Sequence, residues 1–284
     1  VTEYFGELQA PIWESQSGQQ SLGGTVAARS SDYSRSGGIN TWKLGLEFQV
    51  FEDLRLRATK SRDVREPTFA ELFDAQGGGG SVNDPTRGNA NSQITSVAGG
   101  NPNLNPEIGD TVVAGLVYQP SFIEGLSIST DWYQVEVKDA IAQLGSQRIV
   151  DECYIRNQTA LCKNIERDTT TGLIGRVYNY YLNVAQARVE GVDLEVSYSM
   201  EPNFFDSEQE SLRVRALAGY LIERSDTPLG GTPTDVSGGY STPKWTSNVT
   251  TTYGLGPMSF QLQMRYIDAG LLNTTWVQGV DVDD

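Results

Sequence analysis

The residues with the most distinctive chemistry in this chain are two cysteines, Cys153 and Cys162, which lie in a polar stretch. In a reducing compartment such a pair is usually two unrelated thiols. In an oxidising compartment it would close a loop of about ten residues and stabilise that loop by constraining the unfolded chain. If the protein is exported, we therefore predict a disulfide between them.

The remaining composition argues against catalysis and against nucleic acid as a partner. The chain has 284 residues and no histidine, so it lacks the commonest metal ligand and the commonest general base near neutral pH. Its 36 acidic and 21 basic residues give a formal charge of -15, whereas phosphate binding needs a basic surface. We predict no catalytic residue, no metal site and no cofactor.

Two further segments could suggest ligand chemistry. The glycine run 77–80 lacks the lysine and the strand-to-helix context of a phosphate-binding loop, so it is predicted to be flexible loop. The acidic tail 281–284 could suggest cation binding, and we interpret it as a loop end. Neither segment is predicted to be a site.

Tyrosines form a third group, Tyr178, Tyr180 and Tyr181, near the cysteines in the chain. Such a cluster could stack on sugar rings or on aromatic chelators, because its rings have flat apolar faces and polar tips. It could equally cover the apolar surface of a loop hairpin. Both interpretations stay open from the sequence.

The elements that would position these groups are β-strands. Apolar and polar residues alternate in repeats of about nine to eleven residues, the length with which a tilted strand crosses a bilayer. In one repeat Trp42, Leu44, Leu46, Phe48 and Val50 are apolar and the residues between them are small or polar. We expect these five side chains to project from the convex face of one curved antiparallel sheet. The negative mean hydropathy of -0.36 allows this, since only every second residue would face lipid.

About ten strands are expected in all, at residues 2–10, 20–31, 40–50, 54–62, 109–119, 126–138, 182–200, 211–224, 241–253 and 258–268. Short turns at 51–53, 119–125 and 254–257 alternate with long connections at 63–108, 139–181 and 225–240. Tight turns on one rim and long loops on the other are typical of outer-membrane barrels. Aromatic residues near both strand ends favour two interfacial girdles, with the general preference of aromatics for strands as the alternative.

Three short segments carry a more specific pattern. Its positions are Arg65, Pro67, Glu71 and Leu72 in the first segment, Asn101, Pro102, Leu104, Pro106 and Glu107 in the second, and Gly191 and Asp193 in the third. In this order and spacing they resemble the β-barrel of TonB-dependent outer-membrane receptors, and the resemblance covers nearly the whole chain, 1–284. Val64 and Glu66 depart from the family, which usually has an aromatic and a small residue there.

The resemblance implies an all-β, antiparallel up-and-down transmembrane barrel, present as a partial barrel with long extracellular loops and short periplasmic turns. It implies a place in the outer membrane of a Gram-negative bacterium, in contact with lipid. It also implies TonB-energised uptake of a scarce ligand: an iron-siderophore chelate, haem, cobalamin or an oligosaccharide. The plug domain through which the TonB complex acts, and the closing strands, are expected outside this sequence.

Ligand contact is implied for a few residues near the outer loops: Arg62 and Arg65 at the mouth, Tyr154 beside the cysteines, and Tyr178 and Tyr180. The alternative for the two arginines is a structural ion pair with Asp63, Glu66 or Glu71.

Two other classes of protein share part of the pattern. A passive porin-like barrel would share the alternation and the loop asymmetry but not the three segments. A secreted β-rich carbohydrate-binding or hydrolytic protein would share the acidity and the aromatics, but a hydrolase needs two carboxylates that converge in a cleft. The acidic residues here alternate along one strand face instead, as Asp193 and Glu195 do.

Overall fold

The structure is a computed structural model that describes residues 1–34, 37–75, 77–205, 210–228 and 233–272. The acidic tail 281–284 lies outside the described residues. Helices are short, α1 (Phe69–Phe73), α2 (Ser146–Tyr154) and α3 (Thr159–Cys162), with one turn of 3-10 helix at Pro85–Arg87. None of the described helices has the length and apolar character needed to cross a membrane.

Most of the chain is in strands. In chain order these are β1 (Thr2–Glu14), β2 (Ser21–Tyr33), β3 (Gly37–Phe51), β4 (Leu54–Arg65), β5 (Gly80–Asp84), β6 (Ala90–Gly99), β7 (Glu107–Tyr118), β8 (Leu126–Ala142), β9 (Ile165–Arg167), β10 (Ile174–Tyr180), β11 (Leu182–Met200), β12 (Glu210–Pro228), β13 (Thr234–Asp235), β14 (Trp245–Leu255) and β15 (Met258–Ile267).

The long strands form one up-and-down antiparallel sheet, the main sheet, in the order β1-β2-β3-β4-β7-β8-β11-β12-β14-β15. The short strand β13 adds to β12. All ten predicted strands are present in this sheet, so the expected fold class is confirmed. The described sheet is open, with β1 and β15 at its edges.

The two faces of the main sheet differ in polarity as the alternation predicts. Residues directly opposite each other in antiparallel strands share a face, so Val26, Leu44 and Leu46 lie on the same face of β2 and β3. Their exposed fractions are 51%, 48% and 51%. No second sheet covers this face in the described chain, which confirms that the apolar residues point outwards and not into a sandwich core.

The connections on one rim of the main sheet are short and those on the other rim are long, with one exception. On the first rim, the short rim, strands join through residues 15–20, 52–53, 119–125, 201–209 and 256–257. On the other, the outer rim, two connections are long, 66–106 and 143–181, but β2 and β3 join through 34–36 alone. Six strands, β2, β3, β4, β7, β8 and β12, run further towards the outer rim than predicted. Strand β14 instead begins later than predicted, at Trp245, because turns occupy the residues before it.

The two long outer connections fold together into a unit that the sequence did not predict, here called the loop module: β5, β6, β9, β10, α2 and α3. Its sheet has the order β5-β6-β10-β9, and β6 and β10, one from each connection, pair in parallel. Between the sheet and α2 lies a compact apolar core of Val82, Ile94, Ile149, Val150, Leu161, Ile174 and Val177.

Strand β10 of the loop module escaped sequence reasoning because it breaks the period of two. Ile174 and Val177 are three residues apart, yet both are buried, with exposed fractions of 1% and 0%. The register of β10 against β9 shifts between Ile174 and Arg176, which turns both side chains to the same side. The residues after Pro67 form α1, which Thr68 and Glu71 cap reciprocally in a capping box.

Candidate functional site

The polar face of the main sheet carries two open cavities. The first, of about 620 Å³, lies towards the outer rim, and its charged lining residues are Glu3, Glu7, Arg29, Lys43, Asp63 and Glu66. The second, of about 520 Å³, lies lower on the same face, and its charged lining residues are Arg57, Asp131, Asp193, Glu195 and Arg265. A polar wall of this kind can guide a hydrated solute, whereas the opposite face cannot.

An ion pair crosses one whole strand in the lower cavity. The Arg57 guanidinium donates to both carboxylate oxygens of Asp131, with Nε 2.8 Å from Oδ1. Gly115 of β7 lies opposite both residues. A Cβ there would approach Asp131 Oδ1 to 2.0 Å, so only glycine lets the pair lie flat over β7.

Asp193 and Gly191, predicted from the third segment, also lie on the polar face. Asp193 is opposite Asp131 on the neighbouring strand and lines the lower cavity. Gly191 is opposite Tyr133, and a Cβ at position 191 would come within 2.5 Å of the Tyr133 hydroxyl oxygen. The glycine therefore makes room for a tyrosine ring that lies over β11.

Arg62 lies on the other, apolar side of the sheet. It is opposite Trp42 and Asp110, and its guanidinium donates to both Asp110 oxygens at 2.8 and 3.0 Å. Lys138 Nζ approaches the same carboxylate at 3.5 Å. Arg62 thus belongs to a row of paired charges above the apolar surface and faces away from the cavities.

Arg65 organises the start of the outer connections. Its guanidinium donates to Glu107 at 2.6 and 2.8 Å and to Glu71 at 3.0 Å twice, which joins β4, β7 and α1. Glu107 also accepts from the backbone N–H of Ile141 at 2.7 Å. For Arg65 the sequence allows either ligand contact or a structural ion pair. These contacts are structural ion pairs, and Glu71 is one of the expected partners.

Asparagines of the second segment extend this arrangement. Asn101 donates from its backbone to the Glu71 carbonyl and from its side chain to the Tyr181 carbonyl, both at 2.8 Å. The backbone N–H of Asn105 donates to Asn183 Oδ1, and the side-chain amide of Asn183 donates to the Asn105 carbonyl, both at 2.8 Å. Leu104, next to Asn105 in the chain, is 5% exposed. Together with Arg65, Glu71 and Glu107 these asparagines form what we call the clasp.

The other predicted residues of the first two segments support the clasp by packing. Leu72 and Pro67 are buried, Pro106 is half-buried and Pro102 is exposed. A proline needs no backbone donor partner, so it suits a chain that leaves one element for another. The predicted motif positions are therefore brought together at the root of the outer connections.

Tyr154 is half-buried and packs against the core of the loop module. Its hydroxyl accepts from Arg167 Nε at 3.0 Å, and the Arg167 guanidinium stands 4.8 Å from its ring centre. Arg167 also donates to Asp84 Oδ2 at 2.6 Å and Oδ1 at 3.0 Å. Asp84 is 0% exposed, so Tyr154 and Arg167 complete a buried network between the two connections.

Electrostatics in these networks follow from the arginines. Arg167, helped by the Thr86 hydroxyl and backbone N–H, lowers the pKa of Asp84 to about 2. Arg65, helped by Thr68, lowers the pKa of Glu71 to about 2. Both carboxylates are ionised at neutral pH and committed to structural partners, so neither can act as an acid or a base there.

Cys153 and Cys162 are joined by a disulfide, as predicted, with Cα atoms 5.0 Å apart. The bond links α2 to α3 under the core of the loop module. Cys153 is 4% exposed.

Tyr178 and Tyr180 lie on the opposite, outward side of the module sheet. Their ring centres are 5.6 Å apart and the rings are tilted by 33°. The Tyr178 hydroxyl donates to Glu166 Oε1 at 2.7 Å, and Arg176 Nη1 lies 3.2 Å from Glu166 Oε2. This aromatic and charged surface is called the tyrosine face: Glu166, Arg176, Tyr178 and Tyr180.

Sequence reasoning missed Arg176 and Glu166 on the tyrosine face. Arg176 could have been found, since it precedes Tyr178 by two residues and period-2 alternation puts both on one side of β10. Glu166 could not, because it joins the face only through pairing of β9 with β10. The pair of Asp84 and Arg167 has no local signal either, as it bridges two separate connections.

The fold and the clasp are those of an open, antiparallel up-and-down barrel wall whose outer connections are tied together at their root. Residues 5–283 match the family described as TonB dependent receptor-like, beta-barrel, and the chain belongs to that family. Its members are receptors and transporters and not enzymes. No curated protein matches the chain in sequence.

Solved structures similar to this chain have the same fold. The siderophore receptor PirA from Acinetobacter baumannii has a TM-score of 0.54 at 14% identity, with 94% of this chain and 34% of that chain covered. The ferric enterobactin receptor PfeA from Pseudomonas aeruginosa, a mutant in complex with enterobactin, has a TM-score of 0.58 at 17% identity, with 94% and 33% covered. The RagAB peptide transporter has a TM-score of 0.53 at 14% identity, with 88% and 32% covered. The chain thus spans about a third of the length of these structures.

Proposed function

We propose that this chain forms part of the barrel wall of an outer-membrane receptor that takes up a scarce ligand with energy supplied through TonB. One observation carries the proposal: a single antiparallel sheet is apolar and exposed on one face and polar with cavities on the other. Membership in the receptor family and the similarity to siderophore receptors support it. A passive porin would share the two faces, but the clasp and the family match favour the receptor.

In this mechanism the outer connections bind the ligand and the polar face guides it inwards. The TonB complex acts on a plug domain, and the ligand then moves past Asp63 and Lys43 in the upper cavity towards Asp131 and Asp193 in the lower one. No bond in the ligand has to break, which fits the commitment of the buried carboxylates to structural arginines. The residues of this chain contribute binding, guidance and a seal against lipid.

For ligand contact we propose the tyrosine face, with Tyr178 and Tyr180 as the stacking surface and Arg176 as the cation. Tyr178 and Tyr180 are half-buried. Arg62 is paired with Asp110, Arg65 with Glu71 and Glu107, and Tyr154 with Arg167, so these three residues are assigned positioning roles. An aromatic pair beside a cation suits a planar anionic chelate as well as a sugar ring, so the class of ligand is left to the experiment.

Uptake by the full-length receptor tests the function. Wild-type cells, cells that lack the receptor gene and cells that keep the receptor but lack TonB are compared for uptake of radiolabelled ferric siderophores, haem, cobalamin and oligosaccharides. We expect one of these ligand classes to require both the receptor and TonB. Uptake that requires the receptor but proceeds unchanged without TonB would overturn the proposal in favour of a porin.

The tyrosine face has its own test. We expect the double variant Y178A/Y180A to bind the transported ligand about 30-fold more weakly, because truncating an aromatic hot spot costs about 2 kcal/mol. Tyr240→Ala is the matched control, since Tyr240 is 81% exposed in another outer connection. Equal affinity of both variants, measured by ligand titration on whole cells, would remove the tyrosine face from the site.

A further inference from the structure

Two phenylalanines stand exposed on a turn of the short rim. Phe204 and Phe205 belong to the connection between β11 and β12, and their exposed fractions are 66% and 69%. Adjacent phenylalanines that project into water are unfavourable, because the free energy gained by burying their apolar surface is lost. These two side chains would therefore be more stable in an apolar medium than in water.

The buried carboxylate of Glu210 fixes the backbone at Phe204 and Phe205. Glu210, the first residue of β12, is 4% exposed. It accepts from the backbone N–H of Phe204 at 3.0 Å, from that of Phe205 at 2.8 Å and from the Tyr253 hydroxyl at 2.9 Å. In an apolar medium every backbone donor needs an internal partner. Glu210 supplies such partners at the point where two exposed rings leave the sheet.

The Phe204 ring continues the apolar face of the main sheet. Tyr253 lies opposite Leu212 on β12 and Phe260 on β15, so these three residues share that face. The Phe204 ring lies 6.4 Å from the Tyr253 ring, centre to centre. Phe260 is 58% exposed and Met264, further along the same face, is 64% exposed. The apolar surface thus runs without a break from the middle of β15 onto the turn.

We propose that Phe204 and Phe205 are a membrane foot, inserted in the phospholipid leaflet on the periplasmic side, with Glu210 as its internal support. Aromatic rings prefer the boundary between head groups and acyl chains, and the foot extends the apolar band beyond the strand ends. The inference rests on the proposed function for its orientation, since the short rim faces the periplasm only if the chain is an outer-membrane barrel.

Nitroxide labels on the full-length receptor in phospholipid vesicles test the foot. Single cysteines are introduced by Phe205→Cys, by Met264→Cys on the apolar face and by Ser17→Cys, an exposed residue of another short-rim turn. Cys153 and Cys162 are bonded to each other and do not take the label. Collision with oxygen reports lipid, and collision with a water-soluble nickel chelate reports water.

We expect labels at positions 205 and 264 to collide more with oxygen than with nickel, and the label at 17 to show the reverse. Oxygen access at 264 with nickel access at 205 overturns the foot and leaves the barrel intact. Weak collision with both reagents at 205 means that protein covers the turn, which also overturns the foot. Nickel access at 264 removes the membrane barrel and the foot with it.

The support by Glu210 is tested in the same assay. In the background of Phe205→Cys, the added change Glu210→Ala removes the acceptor of both turn amides, so we expect the label to shift from oxygen towards nickel collision. Glu201→Ala, an exposed acidic residue of the same connection, is the control and should cause no shift. Heat-modifiable migration in detergent gels shows that each variant is folded, and an unshifted Glu210→Ala label in folded protein overturns the supporting role.

Discussion

At the scale of single residues, arginines decide how this chain is held together at its outer end. Arg65 joins three elements in the clasp and Arg167 joins two connections in the loop module. Each guanidinium offers donors in a fixed fork, so one side chain can serve two carboxylates or a carboxylate and a hydroxyl. Exposed pairs such as Arg176 with Glu166 contribute much less.

The buried pair of Asp84 and Arg167 gives a pH-dependent prediction. The pKa of Asp84 is lowered to about 2, below the usual value of about 3.9. The stabilisation is therefore complete above about pH 4 and is lost as the pH falls through about 2, and it amounts to about 2 kcal/mol. Asp84→Asn should remove it at all pH values, as measured by hydrogen exchange of the β10 and α2 amides.

Glu166→Gln is the control for this prediction, because it breaks an exposed pair in the same module and should cost less than about 1 kcal/mol. Equal loss of protection in Glu166→Gln and Asp84→Asn would contradict the special weight of the buried pair.

How far sequence reasoning reaches at this scale depends on the distance between partners along the chain. Arg65 with Glu71 was predictable because both lie in one short segment, and the cysteine pair likewise. Arg62 shares the alternation of Leu54 and Leu56 in β4, so its outward direction was readable from the sequence. Its pairing with Asp110 was not, because that contact depends on the register of β4 against β7. The contact of Asp84 with Arg167 needs the tertiary fold of both connections.

At the scale of elements, the main sheet was predictable and the loop module was not. Strands such as β3 and β15 must separate lipid from water, so their alternation is strict and readable. The strands of the module have only to cover a small core between themselves and α2, and in β10 a register shift at Gly175 hides the period of two. Helix α1 was readable because proline and a capping box mark its start.

The disulfide gives a prediction at the scale of elements. The double variant C153S/C162S should destabilise the α2 and α3 region by about 2 to 3 kcal/mol, as expected for a closed loop of about ten residues. Protease should then cleave the module faster while the main sheet keeps its heat-modifiable migration in detergent gels. Wild-type protein treated with a reductant should behave like the variant, and faster cleavage of the sheet as well would show that the bond supports more than the module.

At the scale of the whole molecule, the two faces of the main sheet set the rules for substitution. Val196 lies in the apolar repeat of β11, opposite Ile128 and Ala216, and Ser197 points to the polar face. An arginine on the lipid side near the middle of the bilayer costs about 2–4 kcal/mol, whereas the polar side tolerates it.

We therefore expect Val196→Arg to lower the free energy of unfolding by about 2–4 kcal/mol in phospholipid vesicles, with Ser197→Arg as the matched control on the same strand. Urea titration followed by tryptophan fluorescence measures both. Equal losses, or a greater loss for Ser197→Arg, would contradict the assignment of the two faces.

The parallel pairing of β6 with β10 has a consequence for how such receptors diversify. Each strand comes from a different outer connection, and neither connection can bury Ile94, Ile174 and Val177 without the other. Recombination that replaced residues 66–106 alone would leave a mismatched sheet edge and an uncovered core. The two connections therefore have to be inherited together. A chimaera with new specificity has to exchange both at once or change only the residues on their shared surface.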